Sequence, residues 1–277
     1  MNWLINRTLT AVSCAFLIST HMIQAQEEYR EAYNAALQAD WEEVFDDSGQ
    51  DDWQKKWFLD GHKATLNNSS EGMFFGAGPI AGDNGSHAVL WTRDSFEGDL
   101  KLDFEFTRMD TVDSYVCIVY LYATGAGPEP YVKDISQWND LRQIPFMSSY
   151  FDHMNLLHIS FAAFGNSPDA GEETAYIRAR RYPRSLFGGK FAGMELEPDF
   201  AALGLFKPGV PHHVTVIRRG SDMFMNVTNP DEDRLYYWDV SQVPAVHEGR
   251  IGLRHMWQRA GLYKDISVSQ LKEQGSE

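Results

Sequence analysis

Basic and hydroxyl-bearing side chains alternate with apolar ones between positions 150 and 182 of this sequence. In the segment LLHISFAAFG, His158 lies on the opposite face of a predicted strand from its apolar neighbours. In YIRARRY, which follows a run of turn-forming residues, Tyr176, Arg178 and Arg180 share one face. One face of a sheet would therefore carry an imidazole, phenols and guanidiniums, a combination suited to binding an anion and moving a proton.

Two further segments extend this polar face by the same alternation. Tyr120 and Tyr122 alternate with apolar residues in SYVCIVYLY, and Arg254 does so in GRIGLRHMW. A planar guanidinium binds a carboxylate through two parallel hydrogen bonds, so Arg178, Arg180 and Arg254 are the candidate anion-binding residues. The convergence rests on strand parity alone, and a single bulge would turn one of these strands over.

Proton transfer on such a face would fall to histidine or tyrosine, because imidazole titrates near neutral pH. His158 or His153, acting with Tyr120 or Tyr122, are the candidate catalytic residues. Further candidates for contact with the ligand are Asn155, Tyr176, His255 and Trp257.

Two of these further candidates have an equally good structural interpretation. Parity directs His255 inward, where it would be a core residue, although its position near a strand end leaves a ligand-facing role open. Trp257 could stack on a ligand, but a buried aromatic is the commoner outcome.

The composition indicates an acidic globular protein with a leader segment. The net charge is −15, and removal of the one positive charge of Arg7 with residues 1–25 gives −16, which argues against a nucleic-acid partner. Residues 1–25 combine that positive charge, a short apolar run and a small residue, Ala25, at the end, as secretory signals do. The apolar run is too short and interrupted for a membrane span, so we expect a periplasmic or extracellular protein.

Cysteine usage fits this interpretation. Cys14 lies in the leader segment, which leaves Cys117 alone in an apolar strand. No disulfide can then form within the mature chain, and a buried, unreactive thiol is the expected state of Cys117.

The hydrophobic pattern predicts an all-β fold with a short N-terminal helix. Residues Glu27 to Ala39 carry an amphipathic helical stripe, and about a dozen short strands separated by turn residues follow from Trp41 onward. We expect residues 26–277 to form one antiparallel β-sandwich domain. Two connections, over residues 123–150 and 183–211, are too long for hairpins and are expected either to wall a binding site or to be decoration.

Several segments resemble the concanavalin A-like, or laminin-G-like, sandwich in order and spacing. They are VFDDSGQDDWQKKWFLDG, SFEGDLKLDFEFTR, HHVTVIRRGSDMFMNV and GRIGLRHMWQRAGLYKDISVSQL, which together span Trp41 to Leu271. HMNLLHISFAAFG, YIRARRYP and GRIGLRHMW further resemble the YesU-type family, which is related to an ulvan oligosaccharide dehydratase. The fold hosts lectins, hydrolases and lyases, so it does not by itself determine a function.

The family resemblance implies a secreted carbohydrate-active lyase or dehydratase that eliminates water at a terminal uronic acid of an acidic oligosaccharide. In that chemistry an arginine would neutralise the uronate carboxylate, while histidine and tyrosine would move the protons. The alternatives are a non-catalytic carbohydrate-binding protein and a glycoside hydrolase of the same fold. The hydrolase motif ExDxxE is absent, because Asp103 and Glu105 are followed by no third carboxylate at the required place.

No organic cofactor is expected, since the glycine-containing segment GAGPEP does not lead into a helix as a phosphate-binding loop would. A structural calcium ion is a weaker expectation. Sandwiches of this kind often join their first and last strands through one, and Asp46, Asp47 and Asp265 are the acidic residues at that place. The pair His212 and His213 lacks a third ligand and is not expected to bind a metal.

Overall fold

The computed structural model describes residues 26–127 and 129–272. The predicted leader segment, residues 1–25, lies outside the described residues. The chain divides into two compact units at the junction between Ala39 and Asp40. In the first unit, residues 26–37 form a helix, α1, as the amphipathic stripe predicts. No helix within the described residues is long and apolar enough to cross a membrane.

The second unit is a β-sandwich of two antiparallel sheets, as the strand pattern predicts. Neighbouring strands in the first sheet, here called the β7 sheet, are β14 (Asp233–Asp239), β13 (Asp222–Thr228), β12 (Pro211–Arg219), β7 (Leu100–Arg108), β16 (Ala260–Leu271), β4 (Gly72–Gly76) and β3 (Thr65–Ser69), with β1 (Trp41–Asp47) also paired to β16.

The second sheet, here called the β9 sheet, lies against the first. Its neighbouring strands are β11 (Glu195–Ala201), β10 (Tyr176–Tyr182), β9 (Met154–Ala163), β8 (Cys117–Gly125), β15 (Glu248–His255), β5 (Ala88–Thr92) and β2 (Trp57–Asp60), with β6 (Phe96–Glu97) paired to β15.

Few helical segments connect these strands. A seven-residue helix, α2, spans Met147–His153, and short 3-10 helices span Trp53–Lys55, Asn84–Ser86, Ile135–Arg142, Glu172–Thr174, Arg184–Phe187 and Val240–Gln242.

The core between the sheets follows from the alternation of side chains along the strands. Leu102 and Phe104 of β7 face Leu157, Ile159 and other inward residues of the β9 sheet, and all are buried. The expectation that Leu157, Ile159 and Phe161 point into the core is therefore confirmed. The opposite side of β9 is consequently free to carry polar groups.

The outer face of the β9 sheet is covered rather than solvated. Residues 126–153, here called the insertion, connect β8 to β9 and contain both the Ile135–Arg142 3-10 helix and α2. Ile135, Trp138 and Tyr150 of the insertion pack in a second apolar cluster against Trp91 and Ile118 of the sheet. The connection between β10 and β11 meets the insertion where Phe191 contacts Phe151, with ring centroids 4.8 Å apart. Both long connections thus wall the same sheet face.

Candidate functional site

Two rows of polar side chains cross the outer face of the β9 sheet. Strand register places Arg180 opposite His158, and His158 opposite Tyr120. In the adjacent row, Arg178 lies opposite Ser160, and Ile118 separates Ser160 from Arg254. The strand alternation thus brings the predicted arginines, His158, Tyr120 and Tyr176 to one sheet face.

Arg254 is the most unusual member of this face. Its side chain is fully buried, its Nε and Nη1 groups have no hydrogen-bond acceptor, and no carboxylate within the described residues pairs with it. Its guanidinium lies 4.5 Å from the ring centroid of Tyr150, and Nη2 contacts the sulfur of Met147, so two residues of the insertion cover it. A buried charge without a partner costs several kcal/mol, which makes this position a natural place for an anion.

Tyr120 lies beside this guanidinium with its hydroxyl likewise unpaired. Burial raises the pKa of the Tyr120 phenol, and the positive charge of Arg254 and its contact with the phenol oppose that rise. The ring of Tyr120 stacks on Trp91, with centroids 5.5 Å apart, and this stacking fixes its orientation. A neutral, positioned phenol is therefore available to donate a proton to a ligand.

His158 is held neutral between two hydroxyl groups. Its Nδ1 lies 2.9 Å from the Tyr182 hydroxyl and its Nε2 lies 2.7 Å from the Ser160 hydroxyl. Complete burial, assisted by the charges of Arg180 and Arg254, holds the pKa of His158 well below its ordinary value. The imidazole is consequently deprotonated at neutral pH, with its ring 5.6 Å from that of Tyr120.

Two of the three arginines of β10, Arg178 and Arg180, are partly exposed and already paired. Arg178 donates to Asp199 through Nε at 2.7 Å and lies over the ring of Tyr176, while Nη2 of Arg180 lies 3.4 Å from Glu195. Both carboxylates belong to the edge strand β11. Of the three predicted anion-binding arginines, only Arg254 is without a compensating carboxylate.

The insertion is fastened to the sheet through Asp60, a fully buried carboxylate at the end of β2. Asp60 accepts hydrogen bonds from Arg142 Nε at 2.5 Å, Trp91 Nε1 at 2.7 Å, Asn139 Nδ2 at 2.8 Å and the Tyr150 hydroxyl at 3.2 Å. We call these contacts the Asp60 network. Sequence reasoning missed it, and the available signal was an acidic residue directly after the apolar run WFL.

Two of the predicted site residues point away from the outer face. The register of β8 shifts between Leu121 and Thr124, and Tyr122 has a φ of 60° there. This bulge turns the Tyr122 side chain into the core between the sheets, where its hydroxyl donates to the Gly98 carbonyl at 2.7 Å. Its assignment to the catalytic face was therefore wrong. His255 also faces inward, as parity indicates, and stacks on Phe75 with centroids 4.5 Å apart.

Asn155 and His153 lie at the margin of the sheet, outside the two rows. Asn155 has the parity of the inward residues, and its Oδ1 accepts from Arg181 Nη2 at 2.5 Å. His153 ends α2 and stacks on Tyr131 of the insertion, with ring centroids 3.6 Å apart. The structure does not bring either residue to Arg254.

Trp257 lies partly buried at the other margin of the cluster. It stacks on His87, with centroids 4.9 Å apart, and donates through Nε1 to the Asp83 carbonyl. Burial and the charge of Arg254 lower the pKa of His87 to about 2, and its Nδ1 has no hydrogen-bond partner. His87 was not predicted from the sequence, in which it is a single histidine before an apolar strand.

Among the described residues, no group of three or more His, Cys, Asp or Glu side chains could hold a metal ion. Asp47 accepts from the Trp57 indole at 2.6 Å, and Asp46 lies 3.3 Å from Lys56 Nζ. Asp265 lies 3.3 Å from Lys264 Nζ. The three aspartates proposed for calcium therefore have protein partners and do not form one group.

Comparisons with known proteins place the chain by its fold. No family model matches the sequence, and no curated protein matches it. A protein of unknown function with a galectin-like fold from Bacillus subtilis superposes with a TM-score of 0.59 at 16% identity, covering 83% of this chain and 98% of that one. The acidic lectin of winged bean, complexed with methyl-α-D-galactose, gives 0.55 at 10% identity, covering 84% and 100%.

Lectin II from Ulex europaeus gives a TM-score of 0.53 at 10% identity and covers 82% of this chain and 98% of its own. At these identities the similarity establishes the architecture alone. The chain has the antiparallel sandwich fold shared by these lectins and the galectin-like protein.

Proposed function

We propose that this protein binds an acidic oligosaccharide on the outer face of the β9 sheet, with a uronate carboxylate at Arg254. The main observation in support of this proposal is that Arg254 is fully buried, pairs with no described carboxylate, and has two nitrogen groups without acceptors. A carboxylate would accept two parallel hydrogen bonds from such a guanidinium and remove the cost of its isolation.

Carbohydrate is the ligand class that the surroundings of Arg254 favour. Tyr120, Trp91 and Tyr150 are buried beside the guanidinium and stack on one another, so displacement of the insertion, which carries Tyr150, would open ring faces of the kind on which pyranose rings pack. The similarity of fold to lectins is consistent with this class. The choice of a uronate such as those of ulvan rests on the resemblance of sequence segments to the YesU-type family. A secreted protein would meet such polymers outside the cell.

Entry of the ligand requires the insertion to move. Met147 and Tyr150 cover Arg254, and the guanidinium has no exposed surface. The partly exposed strip of Tyr176, Arg178 and Arg180 borders the covered region, so the ligand would approach from the β10 side. Displacement of Met147 would then free the side of the guanidinium that a carboxylate needs.

Calorimetric titration with oligogalacturonate and with a glucuronate-terminated oligosaccharide tests this proposal. Whichever acidic probe the wild type binds, Arg254→Gln is expected to weaken that binding by roughly 10- to 100-fold, the range expected for hydrogen bonds to a charged group. The matched control is Arg234→Gln, which removes an arginine paired with Glu232 on the β7 sheet. Equal affinity in wild type and Arg254→Gln would place the carboxylate elsewhere, and a failure of both probes to bind would reject the proposal.

A second candidate function is β-elimination at the bound uronate, favoured by the unpaired Tyr120 hydroxyl beside the neutral His158. Arg254 would neutralise the carboxylate and so acidify the proton on carbon five. Once the Ser160 hydroxyl turns away from Nε2, His158 would take that proton there, the bond from carbon four to its oxygen would break, and Tyr120 would protonate the departing oxygen to give water. Proton return from the imidazolium to the phenolate restores both residues.

Ultraviolet absorption of the unsaturated uronate product measures this reaction. His158→Ala and Tyr120→Phe are each expected to lower turnover by about 10²–10⁴ with a smaller effect on affinity. Tyr122→Phe is the control, because its hydroxyl lies in the core between the sheets. If the wild type binds the acidic oligosaccharide but forms no unsaturated uronate, the protein binds carbohydrate without catalysing this reaction.

The geometry gives less support to a glycoside hydrolase. That reaction needs two carboxylates about 5–9 Å apart across the ligand. On the described outer face, Asp60 is saturated by its four donors, and Asp199 and Glu195 pair with the arginines of β10.

A further inference from the structure

A second concave region lies beside the insertion, away from Arg254. It is a cleft of about 510 Å³ between the first part of the insertion and the ends of β8 and β15. Its polar lining comprises Ser95, Thr124, Lys133, Asp134, Gln137, Glu248 and Arg250. None of these residues takes part in the two rows of the outer face or in the Asp60 network.

The charges in this cleft are paired with one another. Lys133 Nζ lies 2.8 Å from Glu248 Oε2, and Arg250 Nη2 lies 3.0 Å from Asp134 Oδ1. Two positive and two negative side chains give no net charge. The cleft therefore offers no electrostatic preference for an anion or for a cation, unlike the surroundings of Arg254.

The position of the Arg250–Asp134 pair is set before any ligand binds. Arg250 also donates through Nη1 to the Thr92 carbonyl at 3.0 Å and to the Arg93 carbonyl. Asp134 accepts from Ser136 N at the start of the 3-10 helix, which orients its carboxylate. At this pair a ligand would thus meet an ordered donor and acceptor and lose little free energy in organising them.

We infer that this cleft is a binding site for an uncharged polyhydroxylated ligand, namely a neutral saccharide unit. Carboxylates only accept hydrogen bonds, ammonium and guanidinium groups only donate them, and a hydroxyl does both. Adjacent acid and base side chains therefore satisfy a hydroxyl completely, whereas a charged ligand would be repelled by half of the lining. The inference rests on the proposed function only in taking the ligand to be a saccharide.

The cleft and Arg254 are separate positions on the same strand. Arg250 and Arg254 are four residues apart, which corresponds to about 13 Å along a strand, and the buried ring of Trp91 covers Gly252 between them. Because Asp134 and Gln137 belong to the insertion and Glu248 to the sheet, a saccharide in the cleft would bridge the two.

The test is titration of the full chain with three neutral tetrasaccharides: xylotetraose, cellotetraose and maltotetraose. At least one is expected to bind saturably by calorimetry, and both Glu248→Gln and Asp134→Asn are expected to weaken that binding by about tenfold. Glu232→Gln, in an ion pair with Arg234 on the β7 sheet, is the matched control and should bind as the wild type does.

Arg254→Gln separates this inference from the proposed function. It is expected to lose affinity for the acidic probe and to keep its affinity for the neutral one. No saturable binding of any of the three tetrasaccharides, or wild-type affinity in both Glu248→Gln and Asp134→Asn, would overturn the inference. Undiminished binding of the acidic probe by Arg254→Gln, or no binding of it by the wild type, with neutral binding intact, would count only against the assignment of Arg254.

Discussion

Arg254 and Arg250 lie on the same strand but differ in burial and in hydrogen bonding. Arg250 keeps 13% of its side chain exposed and donates to Asp134 and to two backbone carbonyls. Arg254 has no exposed surface, no described carboxylate partner and two nitrogen groups without acceptors. The isolation of Arg254 lowers the stability of the fold, whereas the hydrogen bonds of Arg250 do not. Residues that destabilise a fold in this way concentrate at functional sites.

Two aspartates fix the insertion through arginines, one of them buried and the other partly exposed, and this difference gives the largest expected effect. Asp60→Ala would leave Arg142 buried without a carboxylate partner, so the free energy of unfolding should fall by about 3–5 kcal/mol. Asp134→Ala, which breaks the partly exposed pair with Arg250, should cost about 1 kcal/mol or less.

Urea denaturation of both variants measures the difference. Exchange of amide hydrogens in the insertion should also rise in Asp60→Ala, because four donors lose their acceptor. Similar losses in the two variants would show that the Asp60 network does not hold the insertion in place.

Acid should destabilise the covered side of the sheet before the open cleft. Burial lowers the pKa of His158 and His87 in the folded protein, so the unfolded chain takes up protons first, near its ordinary pKa of about 6.5. Stability is therefore complete above that pH and falls below it, by up to about 1.4 kcal/mol per pH unit for each histidine. At pH 5, His87 would account for a loss of about 2 kcal/mol, and His158 for a loss of the same sign.

The cleft carboxylates act in a lower pH range. The hydrogen bond from Lys133 lowers the pKa of Glu248, and that of Asp134 is also lowered, because hydrogen bonds from Ser136 and Arg250 outweigh its burial. Their stabilising effect is lost only below about pH 4.

Denaturation at pH 7.5, 6 and 5 should show a smaller loss of unfolding free energy in His158→Gln than in the wild type. Identical pH dependence in the two proteins would contradict a neutral, buried His158.

A third comparison uses one substitution at both arginines of β15. Arg254→Met removes an isolated buried charge, so the free energy of unfolding should stay the same or rise by up to about 3 kcal/mol. Arg250→Met removes hydrogen bonds to Asp134 and Thr92, so stability should fall by about 1–3 kcal/mol. Thermal and urea denaturation check the signs. A comparable loss in both variants would make Arg254 a structural residue.

The sequence predicts the sandwich and much of the polar face because strand alternation is a local signal. The inward positions of Leu157 and Ile159 follow from a period of two, and His158 and Arg180 then have to point outward. Arg254 reaches the same face because β15 pairs with β8 without interruption at that position. Parity therefore carries over from one strand to the next wherever the register is regular.

The remaining features depend on long-range pairing that no local pattern encodes. Asp60 and Arg142 are far apart in the sequence, and each looks like an ordinary surface charge until the insertion folds over the sheet. The pairing of Arg178 with Asp199 has the same origin, since β11 returns to the edge of the sheet after a long connection. The bulge in β8 is the third such feature, because it depends on how that strand meets β9 and β15.

That bulge gives the smallest predicted effect and the sharpest comparison of neighbouring residues. Tyr122→Phe removes a hydrogen bond to the Gly98 carbonyl in a buried setting, so it should lower the free energy of unfolding by about 1 kcal/mol and leave ligand binding and turnover unchanged. Tyr120→Phe removes a hydroxyl that has no partner, so stability should change by less than about 0.5 kcal/mol while affinity or turnover for the acidic probe falls. Urea denaturation and the two functional assays on the same preparations separate the outcomes. If Tyr122→Phe impairs function and Tyr120→Phe does not, the outer face of the β9 sheet is not the ligand site.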